Sequence, residues 1–489
     1  MALALTAAAI CLGLGYLIVA WGWPGRTAGF SDLLLQASLA AGYGLGLFSV
    51  IFFLARVLGI GHLLVVDAGV LGLGVAAFFL LRGHGTLKPK AGVSGPPVLP
   101  TQAKSGRERA TRESSEFPQW LDRVLAASFA GAVGVALYSA VMRALGHPHG
   151  VGWDAFAIWN LHARFLFRGG DQWRDGFGPL IPWSHPDYPL LLPAAVAHFW
   201  TYLGRETQAV PAVIGLVFTF STVALLFSAL LILRGPMHAM LAAIALLTTP
   251  TFIEQGTWQY ADVPLSFFFL ATVALLCLHD DRLREGVAER FPSLLVLAGL
   301  AAGLGAWCKN EGVLFLAAII VGRQWRAGRN PGERTALAGY TGALLAGIAP
   351  MFILVAYFKH FVAPAGDLFS NPGTMLHRVM EAARYWAILQ WFVKEFFRFG
   401  GWLIPGTVVL VGLYFAAGKD DRRTREAGFR TSVVALVLTM AGYLAVYLIT
   451  PYEIYWHLRS SLPRLFLQLW PSVIFLFFLG TPAASQKRA

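Results

Sequence analysis

The sequence predicts an all-α polytopic membrane protein with about 13 transmembrane helices, and three observations lead to this fold class. First, 57% of the 489 residues are hydrophobic and only 13% are charged, whereas soluble globular proteins carry roughly 25% charged residues. Second, the mean hydropathy is +0.61, and the apolar runs are about 17–25 residues long, enough for helices to cross a ~30 Å hydrocarbon core. Third, these runs lack the two-residue alternation typical of strands in a membrane barrel.

The charge pattern indicates a lipid bilayer as a partner. The formal net charge is +12, but the basic residues cluster in short loops, as expected for cytoplasmic segments of membrane proteins. This distribution argues against a nucleic-acid partner. Cys11, Cys277 and Cys308 lie in or beside apolar runs without metal or disulfide spacing, so we interpret them as small apolar residues. The first apolar run lacks a basic leader, so we expect it to remain in the protein rather than to be cleaved as a signal peptide.

Apolar runs and polar interruptions divide the chain into four segments. These are an N-terminal three-helix membrane unit over 1–81, a flexible basic cytoplasmic linker over 82–119, a transmembrane core over 120–358 that includes an outer loop over 144–208, and an outer loop with C-terminal transmembrane helices over 359–489. Helices are expected at about 2–22, 33–54, 60–81, 121–143, 209–233, 237–253, 261–279, 292–307, 311–322, 336–358, 402–417, 431–449 and 464–480.

The basic loops predict the orientation of these helices. They are placed on the cytoplasmic side by the positive-inside rule, at 82–120, 234–238, 323–335 and 418–430. The alternation of sides then works only if 190–203 does not cross the bilayer, so we expect an interfacial or re-entrant helix there. The N-terminus is predicted outside, and the acidic candidate residues described below all fall on the non-cytoplasmic side.

The outer stretch 152–193 is the longest segment rich in charged, histidine and aromatic residues between strongly apolar blocks. Asp154 lies near its start and opens a pattern with one apolar helical stripe, typical of an interfacial helix. An N-cap role would explain Asp154 equally well.

Two further acidic positions lie on the same predicted face. Asp262 begins an apolar helix, where the helix dipole alone favours a carboxylate. Together, Asp154 and Asp262 would supply a general base and a ligand or orienting group. The Pro-braced segment with His185, Asp187 and Tyr188 would bind a hydroxylated or phosphorylated ligand, although such a segment is more often a structural turn.

Two groups of polar residues interrupt or flank apolar helices near the end of the predicted core and of the chain. Lys309, Asn310 and Glu311 separate two apolar helices, and polar groups at membrane depth are costly and often functional. A water-facing turn is the alternative. Arg459 and Arg464 flank the start of the last helix, where a guanidinium would hold a phosphate with two hydrogen bonds or would simply extend toward the membrane surface.

Taken in order, these features resemble GT-C glycosyltransferases, specifically the bacterial relatives of protein O-mannosyltransferases and lipid A aminoarabinose transferases. The resemblance covers roughly residues 120–322 and, more weakly, the C-terminal helices. It rests on Asp154 in the first large outer loop, the segment His185–Pro189 before a short helix, Asp262 in the next outer loop, and a Gly-rich helix that ends in the turn Lys309–Gly312.

The resemblance implies a glycosyltransferase of the bacterial inner membrane with a periplasmic active site. It would move a sugar from a polyprenyl-phosphate-linked donor to a glycan, lipid or protein acceptor. Asp154 would be the base, Asp262 would assist the acceptor or a divalent cation, and Arg459 or Arg464 would hold the lipid phosphate. The family often has a second acidic residue where Ala155 follows Asp154, which leaves metal use open. No nucleotide cofactor is implied, because the sequence has no Walker-type phosphate loop.

Two other functions remain alternatives. A secondary transporter would show broken helices and internal repeats; the interruption after residue 308 is compatible with this, but the halves of the sequence show no repeat. A non-catalytic subunit of cell-envelope polysaccharide assembly would use the outer stretch as a docking surface. The second outer loop, 359–400, is expected to contribute to acceptor choice through its charged residues, among them His360, Asp367 and Arg378.

Overall fold

The computed structural model describes residues 2–23, 29–83, 119–286, 292–324, 331–363, 366, 372–402 and 405–482. Its regular secondary structure is helical throughout this part of the chain, which confirms the all-α fold class. Most of the predicted linker (84–118) and Asp367 lie outside the described residues.

Up to Arg284, the described ranges contain ten α-helices of eight or more residues. They are α1 (Ala2–Gly22), α2 (Phe30–Val57), α3 (Leu63–Gly83), α4 (Gln119–Gly146), α5 (Asn160–Arg168), α6 (Leu191–Leu203), α7 (Ala209–Arg234), α8 (Pro236–Leu247), α9 (Pro250–Thr257) and α10 (Asp262–Arg284). The described ranges after Arg284 contain eight more: α11 (Ser293–Cys308), α12 (Asn310–Gln324), α13 (Pro331–Phe361), α14 (Pro372–Met380), α15 (Ala382–Phe396), α16 (Gly406–Ala417), α17 (Ala427–Ile449) and α18 (Ile454–Gly480).

Nine described helices are long and apolar enough to cross a bilayer: α1, α2, α3, α4, α7, α10, α13, α17 and α18. The pair α8 and α9 makes a tenth if it is one span, and it bends by 64°. The single helix predicted over 237–253 is therefore wrong, because Pro250 lacks an N–H and ends the preceding helix. The three remaining predicted spans correspond to α11, α12 and α16. These helices have 16, 15 and 12 residues and are shorter than the roughly 20 residues of a typical spanning helix.

Two central helices, α2 and α10, organise the bundle. In the most apolar part of each helix, 78% of the residues of α2 and all of those of α10 are buried inside the protein. Tyr43 on α2 donates to the Leu297 carbonyl on α11 over 2.6 Å, and Trp307 Nε1 donates to Ser49 Oγ over 3.0 Å. The N-terminal helices therefore pack into the same bundle as the helices that carry the polar candidates.

The turn between α11 and α12 reverses the chain within a very short distance. Lys309 is extended between the two helices, and Gly312 packs directly on the Gly305 carbonyl, so that a Cβ at Gly312 would lie 2.0 Å from that oxygen. The two helices pack against each other as a hairpin. This arrangement holds Lys309, Asn310 and Glu311 at the end of the hairpin.

The second outer segment is mostly helical where the structure describes it. Arg384 Nη1 donates to the Tyr447 carbonyl over 3.2 Å, and Arg378 Nη1 donates to the Ile449 carbonyl over 3.2 Å. These guanidinium groups satisfy carbonyls at the end of α17, which have no partner within their own helix. Helices α14 and α15 are thereby fixed over the C-terminal end of α17.

Helix α18 begins ten residues before its predicted start at 464. Glu453 is its N-cap and accepts hydrogen bonds from the backbone N–H groups of Tyr455 and Trp456, over 2.9 and 2.6 Å. This cap supports an extra N-terminal portion, although Pro463 lies inside the helix. As a consequence, Arg459 and Arg464 belong to one helix instead of flanking its start.

Candidate active site

Asp154 is placed by a tight contact between the segments that precede α5 and α10. It ends the helical turn Gly152–Asp154, which continues into a π-helix over Ala155–Trp159. Gly152 has φ +74°, and a Cβ there would lie 2.5 Å from the Tyr260 hydroxyl, so both its conformation and its surroundings require glycine. Wide π-turns are frequent at functional sites. Here the turn carries a carboxylate whose side chain is 18% exposed.

Arg464 joins this carboxylate to the second acidic candidate. Its Nη2 lies 2.7 Å from Asp154 Oδ2, and its Nε donates to Asp262 Oδ2 over 2.8 Å. The two acidic residues singled out in the sequence are thus brought together by one guanidinium from the last helix.

Asp262 is fully buried, and three side chains donate to it. Besides Arg464, Lys309 Nζ lies 3.0 Å from its Oδ1 and Gln468 Nε2 lies 2.6 Å from the same oxygen. The Tyr443 hydroxyl donates to the side-chain oxygen Oε1 of Gln468 over 2.6 Å and thereby orients the Gln468 side-chain amide. With its oxygens engaged and no exposure to solvent, Asp262 is placed to hold cationic side chains rather than to take a proton from a substrate.

Lys309 continues the arrangement to a third carboxylate. Its Nζ lies 2.7 Å from Glu311 Oε1. The charges therefore alternate along a continuous series, in the order Asp154, Arg464, Asp262, Lys309 and Glu311. We call this series the charge chain. It contains three carboxylates and two cations, so its formal charge is −1.

Tyr260 supports the outer end of the charge chain. The Arg464 guanidinium carbon lies 4.6 Å from the centre of the Tyr260 ring, within the range of cation–π attraction. The Tyr260 hydroxyl also accepts a hydrogen bond from the backbone N–H of Asp154. Burial, reinforced by the negative charge of Asp154, raises the pKa of Tyr260 to about 12. Tyr260 is therefore a neutral support at physiological pH.

A second polar group is centred on Asp187. Asn310 Nδ2 donates to Asp187 Oδ2 over 2.8 Å, and Lys359 Nζ lies 3.2 Å from the same oxygen and also donates to the Asp187 carbonyl. Because Asn310 lies between Lys309 and Glu311 in the chain, this group adjoins the charge chain.

Tyr188 lies between these two groups. Its ring stacks on His185, with ring centres 4.9 Å apart, and on Trp159, at 5.6 Å. His185 has φ +50°, a left-handed conformation that non-glycine residues rarely adopt. Burial first, and then the charges of Glu311 and Asp187, raise the pKa of Tyr188 well above its usual value. The strained turn thus holds the Tyr188 ring between His185 and Trp159, near the carboxylates of both groups.

The structure separates the two arginines that the sequence treated together. Arg464 is in the charge chain, whereas Arg459, earlier on α18, is exposed and makes no ion pair with any described residue. Of the ten residues predicted for the site, the nine others lie in the charge chain, in the Asp187 group or in the stack on Tyr188.

The charge chain is a poor match for a divalent cation. Within the described ranges, no three His, Cys, Asp or Glu side chains converge as metal ligands. The carboxylates of Asp154, Asp262 and Glu311 already face Arg464 or Lys309. A metal ion would have to replace these cationic donors, so we assign no chemistry to one.

No protein-family model, curated protein or solved structure matches the chain.

The sequence alone did not single out three residues that complete the site. Gln468 lies one helical turn after Arg464 in an apolar span, and Lys359 ends a span. Both are polar residues in or beside an apolar span, and such residues are a sequence signal for a functional site. Tyr260 carries no such signal, because an aromatic residue beside a membrane helix is ordinary.

Proposed function

We propose that this protein is a membrane glycosyltransferase of the GT-C type, which moves a sugar from a polyprenyl-phosphate-linked donor to an acceptor on the extracytoplasmic side. The observation that carries the proposal is the position of Arg464 between Asp154 and Asp262. One partly exposed carboxylate lies beside a guanidinium that a buried carboxylate holds in place. This pairs a candidate base with a cation suited to a phosphate leaving group.

In the proposed reaction, an acceptor O–H or N–H attacks the anomeric carbon of the donor sugar. Asp154 takes the acceptor proton as the new bond forms. The bond between the anomeric carbon and the phosphate oxygen breaks, and its electron pair leaves with the lipid phosphate. Because the phosphate leaves as an anion, the step needs a fixed cation more than a strong acid, and Arg464 is that cation.

Asp262 has a positioning role in this proposal. It accepts from Arg464, Lys309 and Gln468 at once, which fixes the guanidinium before the substrate binds. Preorganised charges stabilise a transition state without the cost of reorganising during the reaction. We therefore assign the base role to Asp154 alone.

The Asp187 group supplies a binding surface beside the charge chain. Asp187, Asn310 and Lys359 offer both donors and acceptors, and the partly exposed His185 ring, stacked on Tyr188, adds an aromatic surface. A sugar ring has hydroxyl groups on its rim and apolar C–H faces, so both features suit it. We propose that this surface holds the transferred sugar or the acceptor.

The proposal places the charge chain near the outer surface of a bacterial inner membrane, in a chain with about 13 crossings. The positive-inside distribution of basic loops supports this orientation. Helix α15 supports an interfacial position for the second outer segment, because its exposed face carries Trp386, Leu389 and Val393, at 62%, 53% and 49% exposure.

The decisive experiment compares Asp154→Asn with wild type and a deletion strain by glycan and lipid-linked sugar analysis of whole cells. Asp154→Asn is expected to reach normal membrane levels, to lose the same glycan as the deletion, and to accumulate the polyprenyl-phosphate sugar. Asp175→Asn is the matched control, because Asp175 is an exposed carboxylate of the same outer loop. Full glycosylation in Asp154→Asn but not in the deletion would exclude Asp154 as the base.

One observation favours a secondary transporter as the second candidate. The 64° bend between α8 and α9 resembles the broken helices of transporters. If neither Asp154→Asn nor the deletion changes any glycan, uptake of candidate solutes into vesicles becomes the appropriate test.

A further inference from the structure

We infer that the ion pair between Asp154 and Arg464 is a gate that the donor phosphate opens. An arriving phosphate replaces Asp154 on the Nη2 side of Arg464, and the released carboxylate then becomes free to act as the base. This inference rests on the proposed function, because it concerns the order of events at the same site. It assigns a resting state in which the base is inactive until an anionic headgroup is bound.

The charge count of the charge chain is the first reason. Its two cations, Arg464 and Lys309, each face two carboxylates. An anionic ligand therefore meets no unpaired cation within the charge chain, and its approach to this series with its formal charge of −1 is unfavourable. The nearby Lys359 is also paired, with Asp187. A phosphate binds Arg464 strongly only by taking the place of a carboxylate.

The unequal burial of the two carboxylates on Arg464 decides which one leaves. Asp262 has no exposed surface and is held by two further donors, Lys309 and Gln468. Removing it from Arg464 would leave a buried carboxylate short of a cation, which is costly. The Asp154 side chain is 18% exposed, and Arg464 is its ion-pair partner. Released Asp154 turns toward solvent at much lower cost, so Asp154 is the carboxylate that exchanges.

Arg464 itself stays in place during this exchange. Its Nε is fixed by Asp262 at 2.8 Å, and its guanidinium lies against the Tyr260 ring at 4.6 Å. These contacts leave the Nη2 side as the one that changes partner. Arginine suits this exchange because its planar group binds carboxylate and phosphate with the same geometry.

The gate predicts ordered chemistry. Without a donor, Asp154 remains paired, so neither water nor an acceptor is deprotonated beside it. With the phosphate bound, the same guanidinium that released Asp154 stabilises the leaving group. Donor binding and base activation thus become a single event.

The test measures binding of farnesyl phosphate to the purified full-length protein in lipid nanodiscs, without any transfer reaction. Asp154→Asn removes the competing carboxylate charge and is expected to bind farnesyl phosphate at least tenfold more tightly than wild type. Arg464→Gln is expected to bind it at least tenfold more weakly. Asp175→Asn removes an equal charge from an exposed carboxylate of the same loop, and a change below threefold is expected. Farnesol, which lacks the phosphate, is expected to bind all four proteins alike.

The gate would be overturned if Asp154→Asn bound farnesyl phosphate no more tightly than wild type. It would also be overturned if Asp175→Asn tightened farnesyl phosphate binding as much as Asp154→Asn does, or if Asp154→Asn tightened farnesol binding equally. Tighter binding of inorganic phosphate by Asp154→Asn than by wild type would support the gate and would show that the phosphate group is enough for the exchange without the lipid tail. Asp154→Ala serves as a second variant, and thermal unfolding of every variant establishes that it is folded. If Asp154→Asn tightens binding while neither Asp154→Asn nor the deletion changes any glycan, the exchange of phosphate for Asp154 on Arg464 stands and the transferase assignment fails.

Discussion

Arg464 and Asp262 are 202 positions apart in the sequence, yet Arg464 Nε and Asp262 Oδ2 lie 2.8 Å apart. This contact joins the start of α10 to the last helix of the described chain. It also fixes the orientation of the guanidinium that reaches Asp154. The stability of the bundle and the geometry of the candidate site therefore depend on the same buried carboxylate.

Asp262→Ala is expected to destabilise the protein strongly. It leaves Arg464 without its buried partner and Lys309 with Glu311 alone. Breaking a buried ion pair by removing one partner costs about 3–5 kcal/mol. Thermal unfolding in detergent should show a large decrease in midpoint, while Asp175→Ala, in the exposed outer loop, should leave it unchanged. A midpoint equal to wild type would show that Asp262 does not hold the site together.

Gly312→Ala is expected to disturb the hairpin of α11 and α12. The new Cβ would lie 2.0 Å from the Gly305 carbonyl, and backbone on both sides leaves little room to adjust. The hairpin would open and displace Lys309 from Asp262. The matched control is Gly339→Ala in α13, where a Cβ meets no atom within 4 Å and alanine favours the helix. Folded yield and unfolding midpoint should fall for Gly312→Ala alone; equal values for both variants would contradict the close packing.

The buried pair of Asp67 and His198 predicts a non-additive double-mutant cycle. His198 Nδ1 donates to the Phe48 carbonyl at 2.9 Å, its Nε2 lies 2.9 Å from Asp67 Oδ2, and Tyr202 donates to that oxygen over 2.6 Å. His198→Leu removes the imidazole from a fully buried carboxylate. The double variant Asp67→Leu/His198→Leu should therefore be more stable than His198→Leu alone. Unfolding midpoints of the four proteins measure the coupling, and additive values would exclude it.

Helix α15 is expected to lie in the membrane interface. A probe on Leu389→Cys should be quenched by lipids that carry a quencher near the headgroup, because Leu389 lies on the exposed apolar face. The native cysteines Cys11, Cys277 and Cys308 are buried, so background labelling should be low. Asp175→Cys provides the aqueous comparison and should respond to iodide. Quenching of both sites by iodide alone would place α15 in water.

His162 predicts a loss of stability at acidic pH. Burial, with a smaller effect of His185, lowers the pKa of His162 to about 3; its Nε2 lies 3.3 Å from Ser184 Oγ. Because the unfolded chain binds this proton near pH 6.5 and the folded protein does not, stability falls as the pH decreases from about 6.5 toward 3.

Because of His162, the free energy of unfolding is expected to decrease by about 2 kcal/mol as the pH falls from 6.5 to 4.5. Comparing unfolding midpoints of wild type and His162→Gln across this range isolates the contribution, since glutamine does not titrate. Parallel pH curves for the two proteins would show that His162 is not the responsible group.

The sequence by itself determined the helical membrane class and most helix positions. Long apolar runs have few ways to satisfy their backbone within a bilayer, and helices are one of them, so composition and length suffice. It also indicated polar residues of the site: Lys309 as a polar group between two apolar helices, Asp262 as a carboxylate at a helix start, and Arg464 as a guanidinium suited to phosphate. The predicted helix boundaries were wrong at two places. Pro250 splits the apolar run that was predicted as one helix, and the Glu453 cap starts α18 before Pro463, although proline usually lies at a helix start.

Only the tertiary structure decided which charges pair and what each carboxylate can do. Asp154 and Asp262 are both acidic residues at helix starts in the sequence, but packing leaves one partly exposed and buries the other among three donors. In the same way, Arg459 and Arg464 are both arginines of α18, but Arg464 lies against Asp154 and Asp262 whereas Arg459 is exposed. Exposure and pairing depend on which distant helices pack together, and neighbouring residues in the sequence do not encode that contact directly.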